Sequence, residues 1–444
     1  MGAPWDWAFI TPLARNNLAG VNEGENMSKF KLNKREKSWI LYDVGNSAFT
    51  MLVSTLIPIY FNALASAEGV SDTNYLAYWG YAGSIATLLT AIIGPVFGTL
   101  ADRKNYKKPI FTVALILGVV SCAVLGFAWS WISFLVIFVF SKVCYSSSLV
   151  FYDAMLPETT TEDRMDNVSS QGYAFGYIGS CIPFIACLVI VLMSDKLGLT
   201  QSSAMTIAFI LTAAWWLVLT IPLLKTYHQT RYVEAVGNPF RQSFGQLANT
   251  FRNIRKEKHI FLFLVAFFLF IDGVYTIIDM AVAYGTAVGL DTTGLLLALL
   301  LTQFVAFPFA ILFGRLASKY DTGLLIKVCI IAYTGITIFA VFLAAQWQFW
   351  VLAVLVGMFQ GGVQALSRSY FGKIIPPEKS GEYFGLFDIC GKGAAFMGTT
   401  LISVVTQVSG SQSMGVGALV VVFVAGYLVF RVADRECVAV LKNR

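Results

Sequence analysis

The sequence predicts an all-α integral membrane protein whose twelve transmembrane helices form two six-helix halves. Three observations carry that reading. Of 444 residues, 57% are hydrophobic and 13% charged, about half the charge of a soluble domain. The apolar residues come in runs of about twenty, enough to cross about 30 Å of hydrocarbon at about 1.5 Å per residue. Two motifs also recur at nearly one offset along the chain, the mark of an internal duplication.

Taken in order, residues 1–37 form an N-terminal arm. Its first 26 residues lack the basic and apolar regions of a signal peptide. Met27, directly before the basic SKFKLNKREK, is an alternative start that would leave 1–26 untranslated. The first half, 38–224, holds spans at 38–64, 74–101, 109–127, 130–153, 171–193 and 203–224. A polar central loop, 225–258, follows with seven Lys or Arg. The second half, 259–433, holds spans at 259–284, 294–317, 322–344, 348–370, 383–408 and 414–433, before a tail at 434–444. Basic residues of the short loops collect on one side, while the other receives Lys196, so both termini and the central loop are expected in the cytoplasm. The net charge of +6 is then a topology signal and implies no nucleic-acid partner. Six of the seven cysteines fall in apolar runs and Cys437 lies in the tail. None has metal-ligand spacing, and all read as packing residues.

The duplication is visible in two places. GTLADRKNYKK from Gly98 follows span 2, and GRLASKYDTG from Gly314 follows span 8, 216 residues later. LPETTTED, with Pro157, follows span 4, and IIPPEKSGEYFG, with Pro376, follows span 10 at an offset of 219. Two such halves indicate a transporter with its substrate held near the midplane between them.

GTLADRKNYKK resembles the loop-2/3 signature of the major facilitator superfamily, and the resemblance implies a gate. Gly98 permits close helix approach. Asp102 can pair with basic groups or with a facing helix N-terminus in one conformation and release them in the other. Arg103 belongs to the same core, and Gly314 marks the weaker second copy, which has Ser318 at the acid's position. Asn105 stands where the pattern usually has Gly, and it tolerates positive φ better than most residues. Four ordered segments, including WILYDVGNSAF and GGVQALSRSYFGKIIPPEKSGEYFGLFDICGKGAA, resemble a subfamily containing the fungal autophagy-related vacuolar amino-acid effluxers and their bacterial relatives. The chain lacks long loop insertions, like the compact bacterial form, which implies the bacterial cytoplasmic membrane.

Ionisable groups inside spans are functional candidates, because each is costly in lipid unless paired or hydrated. Asp43 lies in span 1, about 8 Å from the span's start at Ser38, with Asn46 and Ser47 within one turn. It suits a substrate ammonium or a proton, and its bland alternative is a helix cap, for which Ser38 is better placed. Lys142 and Asp272 fall near the middles of spans 4 and 7, Asp272 being the alternative proton site. Asp279 reads equally well as a wet helix end. Asp388 and Lys392 share a face of span 11 at i, i+4. They form either a packing pair or a docking point in which Lys392 holds a carboxylate, with Lys142 the competing anchor. Gln360, Gln364 and Arg368 line one face of span 10. The two glutamines are weak cavity candidates, and Arg368 reads as a gate or anchor. Gln303 reads as a hydrogen bond between helices.

No Gly-x4-Gly-Lys-Ser/Thr loop, zinc motif, dinucleotide fingerprint or nucleophile–base pair is present, so neither an enzyme nor a cofactor is expected. The expected function is secondary active transport of a small polar solute by alternating access, with protons as the coupling ion and the chain a monomer in the bilayer. An amino acid or related zwitterion is the expected substrate. The alternatives are an exporter of another metabolite or amphipathic drug, and a sensor that does not transport.

Overall fold

The computed structural model describes residues 31–70, 72–234, 245, 249–250, 252, 254–287 and 289–442. The alternative start at Met27 and much of the central loop lie outside the described residues. Among the described residues, twelve helices are long and apolar enough to cross a membrane. They are numbered by span: α1 (Lys34–Ser54, continued by Leu56–Ala67), α2 (Asp72–Ala101), α3 (Lys107–Val124), α4 (Trp131–Ala154), α5 (Glu162–Leu192) and α6 (Gln201–Thr226). The second set is α7 (Lys258–Ala287), α8 (Thr292–Leu316), α9 (Thr322–Val341), α10 (Gln346–Ile374), α11 (Ser380–Ser409) and α12 (Gln412–Lys442).

Local chemistry sets several of these boundaries. Ser130 caps α4 by accepting from the Ser133 amide at 3.1 Å. Asp291 and Asp321 cap α8 and α9 through the Gly294 and Leu324 amides at 2.7 and 3.0 Å. Each cap satisfies amides that the helix itself leaves unpaired. At α1 the expectation is corrected. The helix starts four residues early, at Lys34, and Ser38 Oγ donates to the Lys34 carbonyl at 2.8 Å from within the helix. The basic KREK run therefore forms the first turn. Large apolar side chains such as Val136 and Val421 are 64% and 72% exposed. A surface rich in such residues suits lipid rather than water.

Packing repeats between the halves. In the first, α1 packs on α5 and α6, α4 on α2 and α3, and α6 on α3 and α5. Each contact recurs in the second half with both helix numbers raised by six. The halves meet through α2–α11 with its counterpart α8–α5, and through α4–α11 with its counterpart α10–α5. Both interiors are rich in packed rings, and they differ at one junction. Phe134 of α4 meets Tyr60 and Phe61 of α1 and Phe209 of α6, with ring centroids 5.5 to 6.3 Å apart.

Glu36 ties the start of α1 to α5. It is fully buried and accepts from Arg164 Nε at 2.8 Å and Nη2 at 2.7 Å, and from Thr160 Oγ1 at 2.7 Å. Losing one partner of a buried pair leaves the other uncompensated. Glu36→Ala is expected to lower the thermal midpoint of the purified protein by about 5 °C. An unchanged midpoint in a heat-unfolding scan would remove this pair from the stabilising contacts.

Candidate functional site

The loop between α2 and α3 turns at Asn105, the one residue other than glycine with positive φ among those described, at 65°. That turn returns the chain so that Asp102 and Lys107 stand together beside the start of α11. No side chain of α11's own cap position bonds its first amides. Asp102 supplies that bond from the other half, accepting from the Gly381 and Glu382 amides at 2.7 and 2.8 Å. The carboxylate thereby also meets the positive end of the helix dipole. Lys107, fully buried, lies 3.6 Å from Asp102 and 2.7 Å from Glu158, and it donates to Ser380 Oγ at 2.8 Å. Arg103 is buried beside this cluster and bridges to Val233 of the central loop.

Glycine is required at the crossing itself. A Cβ on Gly98 would fall 2.2 Å from the Gly381 carbonyl oxygen, so α2 and α11 touch backbone to backbone. The counterpart crossing places Gly314 of α8 against Ser170 of α5, where a Cβ would meet Ser170 Cβ at 2.8 Å. Ser318, however, turns to its own helix, donating to the Arg315 carbonyl. The second crossing thus has close packing without the capping acid.

Deeper at the same end, Arg368 of α10 is 2% exposed and closes on the first half. Its Nη1 donates to Asp153 of α4 at 3.0 Å and to Asp43 of α1 at 3.4 Å. Its Nη2 reaches Asp43 at 3.4 Å and the Ser169 carbonyl at 3.0 Å, while Nε donates to Ser169 Oγ at 2.9 Å. The guanidinium centre lies 4.3 Å from the Tyr173 ring and 4.7 Å from the Trp39 ring, within cation–π range. Asp43, read from the sequence as a site for a substrate ammonium or a proton, is 6% exposed and held in this cluster. Asp166 adds a further tie, accepting from Lys373, from Ser369 Oγ at 2.6 Å and from Thr322 Oγ1 at 2.8 Å in the other half. These crossings all gather at the loop-2/3 end, which is closed.

The remaining candidates divide into two groups. Asn46 stays beside Asp43 and is anchored by its own helix, donating to the Tyr42 carbonyl at 3.0 Å. Lys142 of α4 lies within electrostatic range of Asp279 of α7 and Lys392 of α11, across the halves. Lys392 is bound to Asp388 at 2.6 Å, whereas Lys142 has no ion pair among the described residues and sits 5.9 Å from the Phe138 ring. Gln364 accepts from Tyr177 at 3.1 Å, joining α10 to α5. Asp272 stands apart, fully buried inside the second half. Its Oδ1 accepts from the Gly398 amide at 2.7 Å and its Oδ2 has no partner. Gln360 and Gln303 line a cavity in that half. Sequence reasoning missed Asp153, which it placed at the very end of a span, and Glu36, Lys107 and Glu158 in the flanking segments. The signal available for Asp153 was its place immediately before the repeated LPETTT segment.

Two six-helix halves related by an internal repeat, closed at one end by an acid on a facing helix start, define a transporter of the major facilitator superfamily. Residues 71–163 and 158–438 match the family described as vacuole effluxer Atg22 like, and the chain belongs to that family. It is 40% identical over 411 residues to the uncharacterized MFS-type transporter YxiO of Bacillus subtilis, covering 91% of this chain and 96% of that protein. Autophagy-related protein 22-1 of Aspergillus fumigatus is 26% identical over 272 residues, which span 54% of this chain and 43% of the fungal protein. The match thus covers less than half of the fungal relative. Among solved structures, the human organic anion transporter MFSD10 superposes with a TM-score of 0.70 at 13% identity, covering 90% of this chain and all of that one. The fucose transporter FucP in its outward conformation gives 0.66 at 14% identity, over 90% of this chain and 97% of its own. These two likenesses concern the fold.

Burial pushes the Asp102 carboxyl up to about 7, against the opposing pull of Lys107 and of the Glu382 and Gly381 amides. An open, hydrated end would return it to the ordinary carboxylate range near 4. The closed state therefore binds more protons between those values. Closure is favoured as pH falls through that window and loses the advantage above about 7. Spin labels on the two halves at this end should report a larger open fraction at pH 8 than at pH 6, and Asp102→Asn should flatten that dependence. An equal slope in the variant would assign the pH response elsewhere. By the same measurement, Arg368→Gln should populate the open state at all pH values, since it leaves Asp43 and Asp153 as buried like charges. A distance distribution matching wild type would show that Arg368 does not hold this end shut.

Proposed function

We propose that this transporter moves a small zwitterion, an amino acid or close relative, by alternating access coupled to protons. The observation that carries the reading is the Lys142 ammonium, a cation without an ion pair facing charges of both signs across the halves. A substrate carboxylate gains most from a charge that has no internal partner, because no existing pair must first be broken. Lys142 is therefore the carboxylate anchor, in preference to Lys392, which Asp388 already neutralises. Asp388 and Asp279 are the acids available to the ammonium, with Gln364 in a supporting position. Asp43 acts with Arg368 at the closed end, as part of the gate that also includes Gly98, Asp102, Arg103 and Gly314.

Asp272 is the proton-coupling residue in this reading. Its Oδ2 is buried and unpartnered, in a half where no charged side chain contacts it among the described residues. That atom is a seat for a proton, and the contact to α11 through Gly398 links its occupancy to a helix of the inter-half interface. By the distribution of basic loop residues, the closed end faces the cytoplasm.

The test is current recording on proteoliposomes as amino acids are applied with and without a pH gradient. Lys142→Ala is expected to raise the half-saturating concentration at least tenfold, which corresponds to about 1.4 kcal/mol, and Lys392→Ala to change it less. Asp272→Asn should keep substrate exchange while losing uptake driven by the gradient. Currents evoked by organic anions without an ammonium group, and none by amino acids, would replace the zwitterion with a simple anion at Lys142.

A further inference from the structure

The second half surrounds an apolar space, part of it open to the exterior. Its walls come from α7 to α12, and no residue of the first half lines it. It is thus separate from the charged space between the halves. Most of its lining is aliphatic, including Ile277, Met280, Leu352 and Val356, and no charged side chain is among the lining residues.

The duplication explains why the space exists. At the offset of 219 between Pro157 and Pro376, Phe134 of α4 corresponds to Ala353 of α10, and Phe138 corresponds to Gly357. In the first half the Phe134 ring fills the junction of α1, α4 and α6 by meeting Tyr60, Phe61 and Phe209. In the second half the junction of α7, α10 and α12 has the Ala353 methyl instead, facing Met280, Val416 and Leu419 across the void. Protein interiors seldom leave such volumes empty, since each wall atom loses its contacts. A polar group stands in this lining on α7: Thr276 is fully buried, with Asp272 one turn away as its polar neighbour.

We propose that this cavity is a second ligand site, for an uncharged, mainly aliphatic molecule bearing one hydrogen-bonding group. The aliphatic part occupies the space that a ring fills in the first half. The polar group meets Thr276 Oγ1 of α7, with the Gln303 amide of α8 also in the lining. A charged headgroup is excluded because nothing in the lining compensates it. Apolar cavities take up apolar molecules readily.

The test uses the full-length purified protein and a diazirine-bearing octanol, photolysed and mapped by mass spectrometry. Label is expected on the α7 segment containing Ile277 and Met280 and on the α10 segment containing Leu352 and Val356. Excess octanol should compete it away, whereas label on lipid-facing Val421 should persist. Ala353→Phe, which restores the missing ring, should reduce the cavity label at least fivefold while leaving Val421 labelled. Should that variant fail to elute as a folded species, Ala353→Leu gives the same reading with a partial filling. Cavity label that octanol does not compete, label unchanged by filling, or label confined to lipid-facing positions would each overturn the proposal.

Discussion

Arg368 carries a permanent charge into the interface between two membrane-embedded halves, and much of the closed conformation is arranged around that fact. A guanidinium has five N–H donors in a fixed fork. Here they are met by two carboxylates, a hydroxyl and a carbonyl, all from the first half. The partners come from α1, α4 and α5, so a single side chain of α10 fixes three helices relative to the other half. Continuum reasoning holds that such clusters add little net stability compared with apolar packing. Their value lies in discrimination: the cluster is complete in one arrangement of the halves and broken in the other. A gate needs that property more than it needs strength.

The surface gate works on a related principle with different atoms. Asp102 borrows the start of a helix from the opposite half, and α11 in turn lacks a cap until the halves close. Each side has unsatisfied groups that the other completes. The backbone crossing of Gly98 and Gly381 brings the carboxylate within reach, and Lys107 moderates its burial. The second copy kept the close crossing but not the acid, and its tie is made instead by Asp166 on α5. A symmetrical scaffold therefore carries an unsymmetrical set of fastenings.

The fold was largely legible, and the site only in part. Runs of about twenty apolar residues admit few other structures in lipid, because backbone groups there must be satisfied within the segment. For that reason the twelve helices follow from the sequence, most of them to within a few residues. The exceptions are polar extensions that hydropathy does not register: α1 starts at Lys34, α5 starts at Glu162, nine residues before its expected span, and α12 runs to Lys442, nine residues beyond its own. Asp43, Asp388 and Lys392 were conspicuous as charges inside spans. The pairing of Asp388 with Lys392 was legible from their spacing, but the partner of Asp43 was not, since it lies 325 positions away and no spacing rule encodes such a pair. Asp153 was hidden by standing where a span ends, the one place where an acid needs no explanation. The aromatic rings around Arg368 were invisible for the opposite reason, being common residues in an apolar background.

The exchange of Phe134 for Ala353 has a mechanical side as well. Voids are the part of a folded chain that compression removes, and the volume change of unfolding scales with them. At one junction the first half of this duplicated chain is packed ring against ring, while the matching junction of the second retains collapsible space. Under hydrostatic pressure the two would not yield together: the first would act as the stiff arm of the pair, the second as its compliant one.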